Sequence, residues 1–343
     1  MLPANLRKTV LLPFCAIIFF SACQIPEPPV SKEEALTLGR RIERSVGKHD
    51  TTLLNRIFDE KALAQRVGEA SGIFLSRSLI TSAVKGVEEG GLGSKVVHAM
   101  GETGTYQLIR QYEKDGRQHI LFRLYGNDGV NYHDFLLVKR DEGIKAADLY
   151  IYTSGEDISK TLANALTRLN KDASRKELKI TDDIKDLMDR DEYEKADVEY
   201  AKLPAAFKKE KAYQLIHVRI YSHLSNDKYV EALKEYRTLF PHDPNMYLLM
   251  VDAYTLQKNY PMALESVNKL DSLIGRDPFQ DYERALIYKI MGDNANEQIC
   301  LERLHKTMPE FKKGTFELIA FYYSTKQTSR GDSLMKEVKA MAH

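Results

Sequence analysis

His119, His133, Asp134 and Asp148 are the side chains best suited to move a proton near neutral pH, and all four fall in stretches that alternate as β-strands. A catalytic pair needs two such groups on one face. His133 and Asp134 are adjacent, so on a regular strand they point to opposite faces and do not act together as a dyad. His133 alternates with Phe135 and Leu137, whereas Asp134 alternates with Tyr132 and Leu136. Spacing alone gives none of the four an orienting partner. They read as exposed or rim polar groups, and the chain reads as a non-enzyme without catalytic residues, cofactor or metal. The motifs GxxxxGK(S/T), GxGxxG, HExxH and GxSxG and the EF-hand loop do not occur. Gly90-Gly91-Leu92-Gly93 follows Glu88-Glu89, an acidic pair that disfavours phosphate, so it reads as a flexible loop.

Cysteine chemistry is equally restricted. Of Cys15, Cys23 and Cys300, the first two lie at the apolar N-terminus, which leaves Cys300 alone. A lone thiol makes neither an internal disulfide nor a CxxC metal cluster. Cys300 falls at a core-like helical position and reads as a small buried hydrophobe. The 343 residues suffice for two domains. Fifty basic against 49 acidic residues leave a net charge of +1, so nothing suggests a nucleic acid or an anionic surface as partner. Trp is absent, and 19 Tyr and 13 Phe supply the aromatic bulk.

The elements that must position these groups begin with a leader. Arg7 and Lys8 precede an apolar run, Val10 to Phe20, too short to span a hydrocarbon core of about 30 Å. Phe20-Ser21-Ala22-Cys23 then resembles the lipobox of bacterial lipoproteins. The resemblance implies cleavage before Cys23 and lipid attachment to it, anchoring the chain to a bilayer of the cell envelope. Gln24 replaces the Asp of inner-membrane retention, which favours the outer membrane. Several acyl chains anchor far more firmly than one. Residues 24–30, with Pro26, Pro28 and Pro29, form no helix and read as an extended tether.

Residues 31–156 read as an α+β domain. Ser31 and Glu34 make a capping box ahead of Ala35, Leu38, Ile42 and Val46. A second helix is expected through Leu53, Leu54, Ile57 and Phe58, and a strongly apolar one over Ile73–Val87. From Gly104 the period becomes two. Tyr106–Glu113, Gln118–Tyr125, Val130–Lys139 and Lys145–Thr153 read as a four-stranded antiparallel sheet, joined by Asp115-Gly116, Asn127-Asp128-Gly129 and Glu142-Gly143. One sheet face is expected to pack on the Ile73–Val87 helix. This order, ending in Asp148-Leu149-Tyr150-Ile151-Tyr152, resembles the NTF2-like (cystatin-like cone) superfamily. The resemblance implies a curved sheet around a helix and a pocket, which in some members uses an Asp or His for catalysis.

A connecting helix and linker span 157–176, and 177–343 read as all-α repeats. Tyr254, Tyr288 and Tyr322 stand 34 residues apart, as do Val267, Leu301 and Met335, and Leu270, Leu304 and Val338. Asp191-Glu192-Tyr193-Glu194-Lys195-Ala196, Asn226-Asp227-Lys228-Tyr229-Val230-Glu231-Ala232 and Lys258-Asn259-Tyr260-Pro261-Met262-Ala263 share one signature; Glu297 and Gly331 replace its alanine in the last two units. The period and signature resemble the tetratricopeptide (TPR) repeat, here as about five helix pairs. The resemblance implies a solenoid whose concave face binds a protein or peptide. It places His217, Tyr221, Leu248, Asp252, Phe279, Tyr282, Leu286, Lys289, Phe316 and Tyr323 on that face, unless the N-terminal domain or the C-terminal helix covers it. The expected function is therefore a membrane-anchored, noncatalytic protein-interaction scaffold. The alternative is a small-molecule or peptide pocket in the N-terminal domain.

Overall fold

The computed structural model describes residues 28–126, 129–169, 175–241 and 243–341. Cys23, its leader and the start of the tether lie outside the described residues. The chain forms an α+β domain followed by an all-α region.

The first half opens on α1 (Lys32–Val46). Its capping box is in place: the Glu34 N–H donates to Ser31 Oγ at 3.2 Å, and the Ser31 N–H donates to Glu34 Oε2 at 2.8 Å. Then come α2 (Thr52–Asn55), α3 (Glu60–Ser71), α4 (Arg77–Glu89) and α5 (Leu92–Met100). The second helix stops sooner than the spacing of its leucines predicts. Ile57 and Phe58 instead run extended beside Ala146, whose N–H donates to the Ile57 carbonyl at 2.8 Å. Ser76 caps α4, so that helix starts four residues after Ile73.

The sheet has five strands, not four, all antiparallel and in chain order: β1 (Thr105–Lys114), β2 (Arg117–Gly126), β3 (Gly129–Arg140), β4 (Gly143–Ile151) and the two-residue β5 (Glu156–Asp157). At the β1–β2 turn, Asp115 and Gly116 both have positive φ (52° and 71°), as a type I′ hairpin requires. One face carries Ile120, Phe122, Phe135 and Leu149, all fully buried. Helices α1 and α5 and the following α6 (Ile158–Leu169) cover it; α4 packs instead on α3 and α6, one layer further out. The expected packing of the sheet on the Ile73–Val87 helix is thus replaced. Only Val84 of α4 is fully buried, so its apolar stripe suits an outer layer. Helix α6 joins this core through Ala163 and Leu166.

The second half is a run of helix pairs: α7 (Arg175–Met188) with α8 (Tyr193–Ala201), then, after the short α9 (Ala205–Lys208), α10 (Lys211–Leu224) with α11 (Asn226–Leu239). The last three pairs are α12 (Met246–Leu256) with α13 (Tyr260–Leu273), α14 (Gln280–Met291) with α15 (Asn294–Thr307), and α16 (Lys312–Ser324) with α17 (Thr328–Met341). Each pair packs on the next. The 34-residue period is written in the backbone. Lys258, Gly292 and Lys326 all adopt left-handed φ (57°, 72° and 63°). One residue later, Asn259, Asp293 and Gln327 donate back to the carbonyls of Tyr254, Tyr288 and Tyr322 at 2.8, 3.0 and 2.7 Å. Ala196, Ala232 and Ala263 are fully buried where the helices of a pair meet. At Gly331 a Cβ would stand 3.0 Å from the Tyr323 ring, so an alanine there needs that ring to shift by a few tenths of an ångström.

Candidate functional site

The second sheet face meets the helical half. Leu121, Tyr132 and Tyr152 pack on Leu270 and Ile274, and Tyr125 and Val130 pack on Phe279, Tyr282 and Phe311. In the middle of this apolar contact the Asp277 carboxylate accepts from Arg123 Nη1 at 2.5 Å and from the Tyr132 hydroxyl at 2.8 Å. Both charged side chains are essentially fully buried (1 % and 0 % exposed), so each compensates the other's lost hydration. Gln280 Nε2 donates to Tyr132 Oη at 2.8 Å, and the Arg123 guanidinium lies 4.8 Å from the centre of the Phe279 ring.

Of the two expectations for this face, open groove or cover by the N-terminal domain, the contact fits the second over part of the face. Phe279 and Tyr282 are buried under the protein's own sheet, and Leu248 and Leu286 are half-buried at its margin. Their aromatic and aliphatic character suits any flat apolar surface, and here that surface belongs to the same chain. His217 and Tyr221 are also half-buried; the His217 ring stacks on Tyr200 at 4.6 Å and lies 4.0 Å from Tyr221, and burial lowers its pKa. Asp252, Lys289, Phe316 and Tyr323 remain exposed.

Where the two halves do not touch, a cleft of about 830 Å³ opens between the sheet face, Arg66 of α3, and Pro244 and Leu273 of the helical half. Its floor is a cross-strand cluster. Tyr112 on β1 stands opposite His119 on β2, and Asp134 on β3 lies diagonal to His119. His119 Nδ1 is 3.0 Å from Asp134 Oδ1, and the Tyr112 hydroxyl donates to Asp134 Oδ2. The Tyr112 and His119 rings stack at 4.9 Å, with the Arg110 guanidinium 4.2 Å from the Tyr112 ring centre. Burial, then the Asp134 charge, pushes the Tyr112 phenol well above its ordinary pKa, so it stays a donor at physiological pH. Tyr152, pushed up to about 12 by burial, Tyr150 and Asp157 complete the wall. Burial raises the Asp157 carboxyl, and Asp148 adds repulsion.

Of the four acid–base candidates, two therefore come together and two do not. His133 points to the opposite face, as its alternation requires. There it takes a 3.1 Å hydrogen bond with the Tyr106 hydroxyl, and burial lowers its pKa to about 4. Asp148 is saturated: it accepts from the Leu149 N–H (2.9 Å), the Ser159 N–H (3.1 Å), Ser159 Oγ (2.5 Å) and Arg66 Nε (2.6 Å). It ties α6 and α3 to β4. Sequence reasoning missed Tyr112, Arg110 and Asp157. Strand pairing plus the alternation Arg110-Tyr112-Lys114 could have placed the first two beside His119.

Chemically the cleft offers flat aromatic faces, a hydroxyl–imidazole–carboxylate cluster, and the cations Arg110, Lys114 and Arg117 beside the carboxylates of Asp115 and Asp157. Lys114 and Arg117 at its rim form no ion pair among the described residues. Also among the described residues, no group of three His, Cys, Asp or Glu side chains is placed to hold a metal ion, and no helix is long and apolar enough to cross a membrane. Comparison with known protein families, curated proteins and solved structures gives no match.

Proposed function

We propose that the protein is a lipid-anchored envelope module, noncatalytic, that binds a small anionic, ring-bearing ligand in the cleft between its sheet domain and its helices. The observation that carries the reading is the convergence of Tyr112, His119 and Asp134 on a cleft whose rim cations, Lys114 and Arg117, form no salt bridge among the described residues. Pre-organised polar groups in a concave site at a domain junction are the usual form of a small-molecule site. The aromatic faces suit a sugar or planar ring, and the cations suit a carboxylate or phosphate. On this reading Cys23 carries the acyl chains, the N-terminal domain is NTF2-like, and the repeats are TPR-like with part of their inner face given to an internal contact. Glucuronate and glucose 6-phosphate are suitable minimal probes. Either should raise the melting temperature of the full chain, and the Lys114→Glu/Arg117→Glu variant should lose the shift. Equal shifts in both chains, or none in the parent, would count against the cleft.

A narrower form of the scaffold role also has an observation behind it. Phe316 and Tyr323 of α16 are 49 % and 41 % exposed. We propose this end of the helical half as the remaining surface for a protein partner. Phe316→Glu should reduce crosslinked partner in native membranes, and an unchanged crosslinking profile would refute it.

A further inference from the structure

The loop joining α3 to α4 holds Phe74 in water. It is 90 % exposed, the most exposed large hydrophobic side chain among the described residues, and Ile73 beside it is 41 % exposed. The loop is not slack. Gly72 closes α3 with φ 65°, and the Ser71 hydroxyl, 2.8 and 2.7 Å from the carbonyls of Gly68 and Ile73, shares its one proton between them. Leu75 is buried in the first core, and Ser76 accepts from the Leu79 N–H at 3.3 Å to cap α4. A backbone pinned at both ends thus presents an aromatic ring almost wholly to solvent.

The same helix marks where the chain departs toward Cys23. Pro28, Pro29 and Val30 border a hollow with Ala62, Gln65 and Glu69 of α3. Gln65 also borders the hollow that contains Phe74, Leu75 and Ile80. The twelve residues of α3 span about 18 Å. Cys23 precedes Pro28 by five residues, a reach of at most roughly 18 Å. Acyl chains on Cys23 would therefore hold α3 within about one helix length of the bilayer surface.

We propose that Phe74, with Ile73, inserts into the leaflet that holds the acyl chains of Cys23, giving the body a second, noncovalent contact with the phospholipid bilayer. The proposal rests on the lipid-anchor reading above. Apolar side chains at a loop tip reach the boundary between headgroups and acyl chains, where they leave water without requiring a partner protein. Glu60, Lys61 and Arg77 around the loop are of mixed sign, so the apolar surface drives insertion and neutral lipid suffices. The contact would fix which side of the molecule faces the membrane.

The absence of tryptophan makes the test direct. Phe74→Trp in the full acylated chain introduces a single tryptophan, excited at the red edge where tyrosine does not absorb, and Phe316→Trp on α16 provides an exposed control. Both chains are reconstituted in phosphatidylcholine vesicles and recovered by flotation. Phe74→Trp emission should shift to the blue and lose intensity when the lipid carries brominated acyl chains; the control should do neither. If the Phe74→Trp chain floats but emits and quenches like the control, insertion is wrong and the anchor stands. If neither chain floats, the anchor reading fails and takes the insertion with it. Both sites are exposed, so parental circular dichroism is expected, and Ile73→Trp provides a second position with the same two outcomes.

Discussion

Within the cleft, the Asp134 carboxylate organises two other groups. It accepts from Tyr112 and sits 3.0 Å from His119 Nδ1, which fixes both rings on the floor. Asp134→Asn would weaken two hydrogen bonds to a charged group. A loss of about 1–3 kcal/mol, read from urea denaturation, is expected, together with loss of any probe-induced melting shift. A variant that keeps the shift would show that the cluster is structural only. His133, on the other face, has its own signature. Its folded pKa of about 4 lies below the ordinary 6.5, so on acidification the unfolded chain binds the proton first. Its contribution is whole above pH 6.5 and is lost as the pH falls toward 4, amounting to ~3 kcal/mol. His133→Gln should remove that loss, so the variant gains stability relative to the parent as the pH falls from 6.5 to 4. Glu283 on α14, pushed up to about 7 by burial, has the opposite sign: it favours the folded state below pH 4.5 and loses that contribution as the pH rises to 7. The two contributions cancel in a flat wild-type profile, so His133→Gln and Glu283→Gln must be measured separately.

At the scale of elements, local signals were legible and distant ones were not. The capping box of Ser31 and Glu34, the Asp115-Gly116 hairpin and the 34-residue period each depend on residues close in sequence or on repetition, and each is present. Leu53, Leu54, Ile57 and Phe58 have helical spacing, yet Ile57 pairs with Ala146, 89 positions away, and nothing near Ile57 announces that. The same holds for the cleft. His119, His133 and Asp134 were visible as titratable residues on strands, and alternation separated His133 from Asp134 correctly. The diagonal contact from His119 to Asp134 needed the strand register, which leaves no mark in either strand alone. Repetition also supports a quantitative expectation. Lys258 and Lys326 hold a left-handed conformation that Gly292 adopts without a Cβ penalty. Lys258→Gly and Lys326→Gly should therefore stabilise by about 0.5–1 kcal/mol, and Gly292→Lys should destabilise by about 1 kcal/mol, in thermal denaturation. Opposite signs would mean that the turn is set by side-chain contacts, not by the backbone.

For the whole molecule, the decisive feature is that the two halves share a buried charge pair. Arg123 and Asp277 are 154 residues apart, and each is isolated from water by apolar groups of both halves. An interface of this kind makes the sheet domain and the helices one thermodynamic unit, because separating them exposes apolar surface and breaks the charge pair. Asp277→Ala leaves the Arg123 guanidinium buried with a neutral acceptor, the Gln107 oxygen, and the Tyr132 hydroxyl without its acceptor, at a cost of about 3–5 kcal/mol. That cost falls on the contact, since Asp277 precedes α14 and Arg123 lies on β2, and each half keeps its own core. The parent chain should unfold in one transition, with far-ultraviolet dichroism and tyrosine fluorescence coincident. Asp277→Ala should resolve into two transitions, the helical half and the sheet domain melting separately. The cleft lies along the same junction, so any ligand that raises the parent melting temperature should also draw the two transitions of Asp277→Ala back together. Two transitions in the parent, or one in the variant, would show that the halves are tied by something other than this pair.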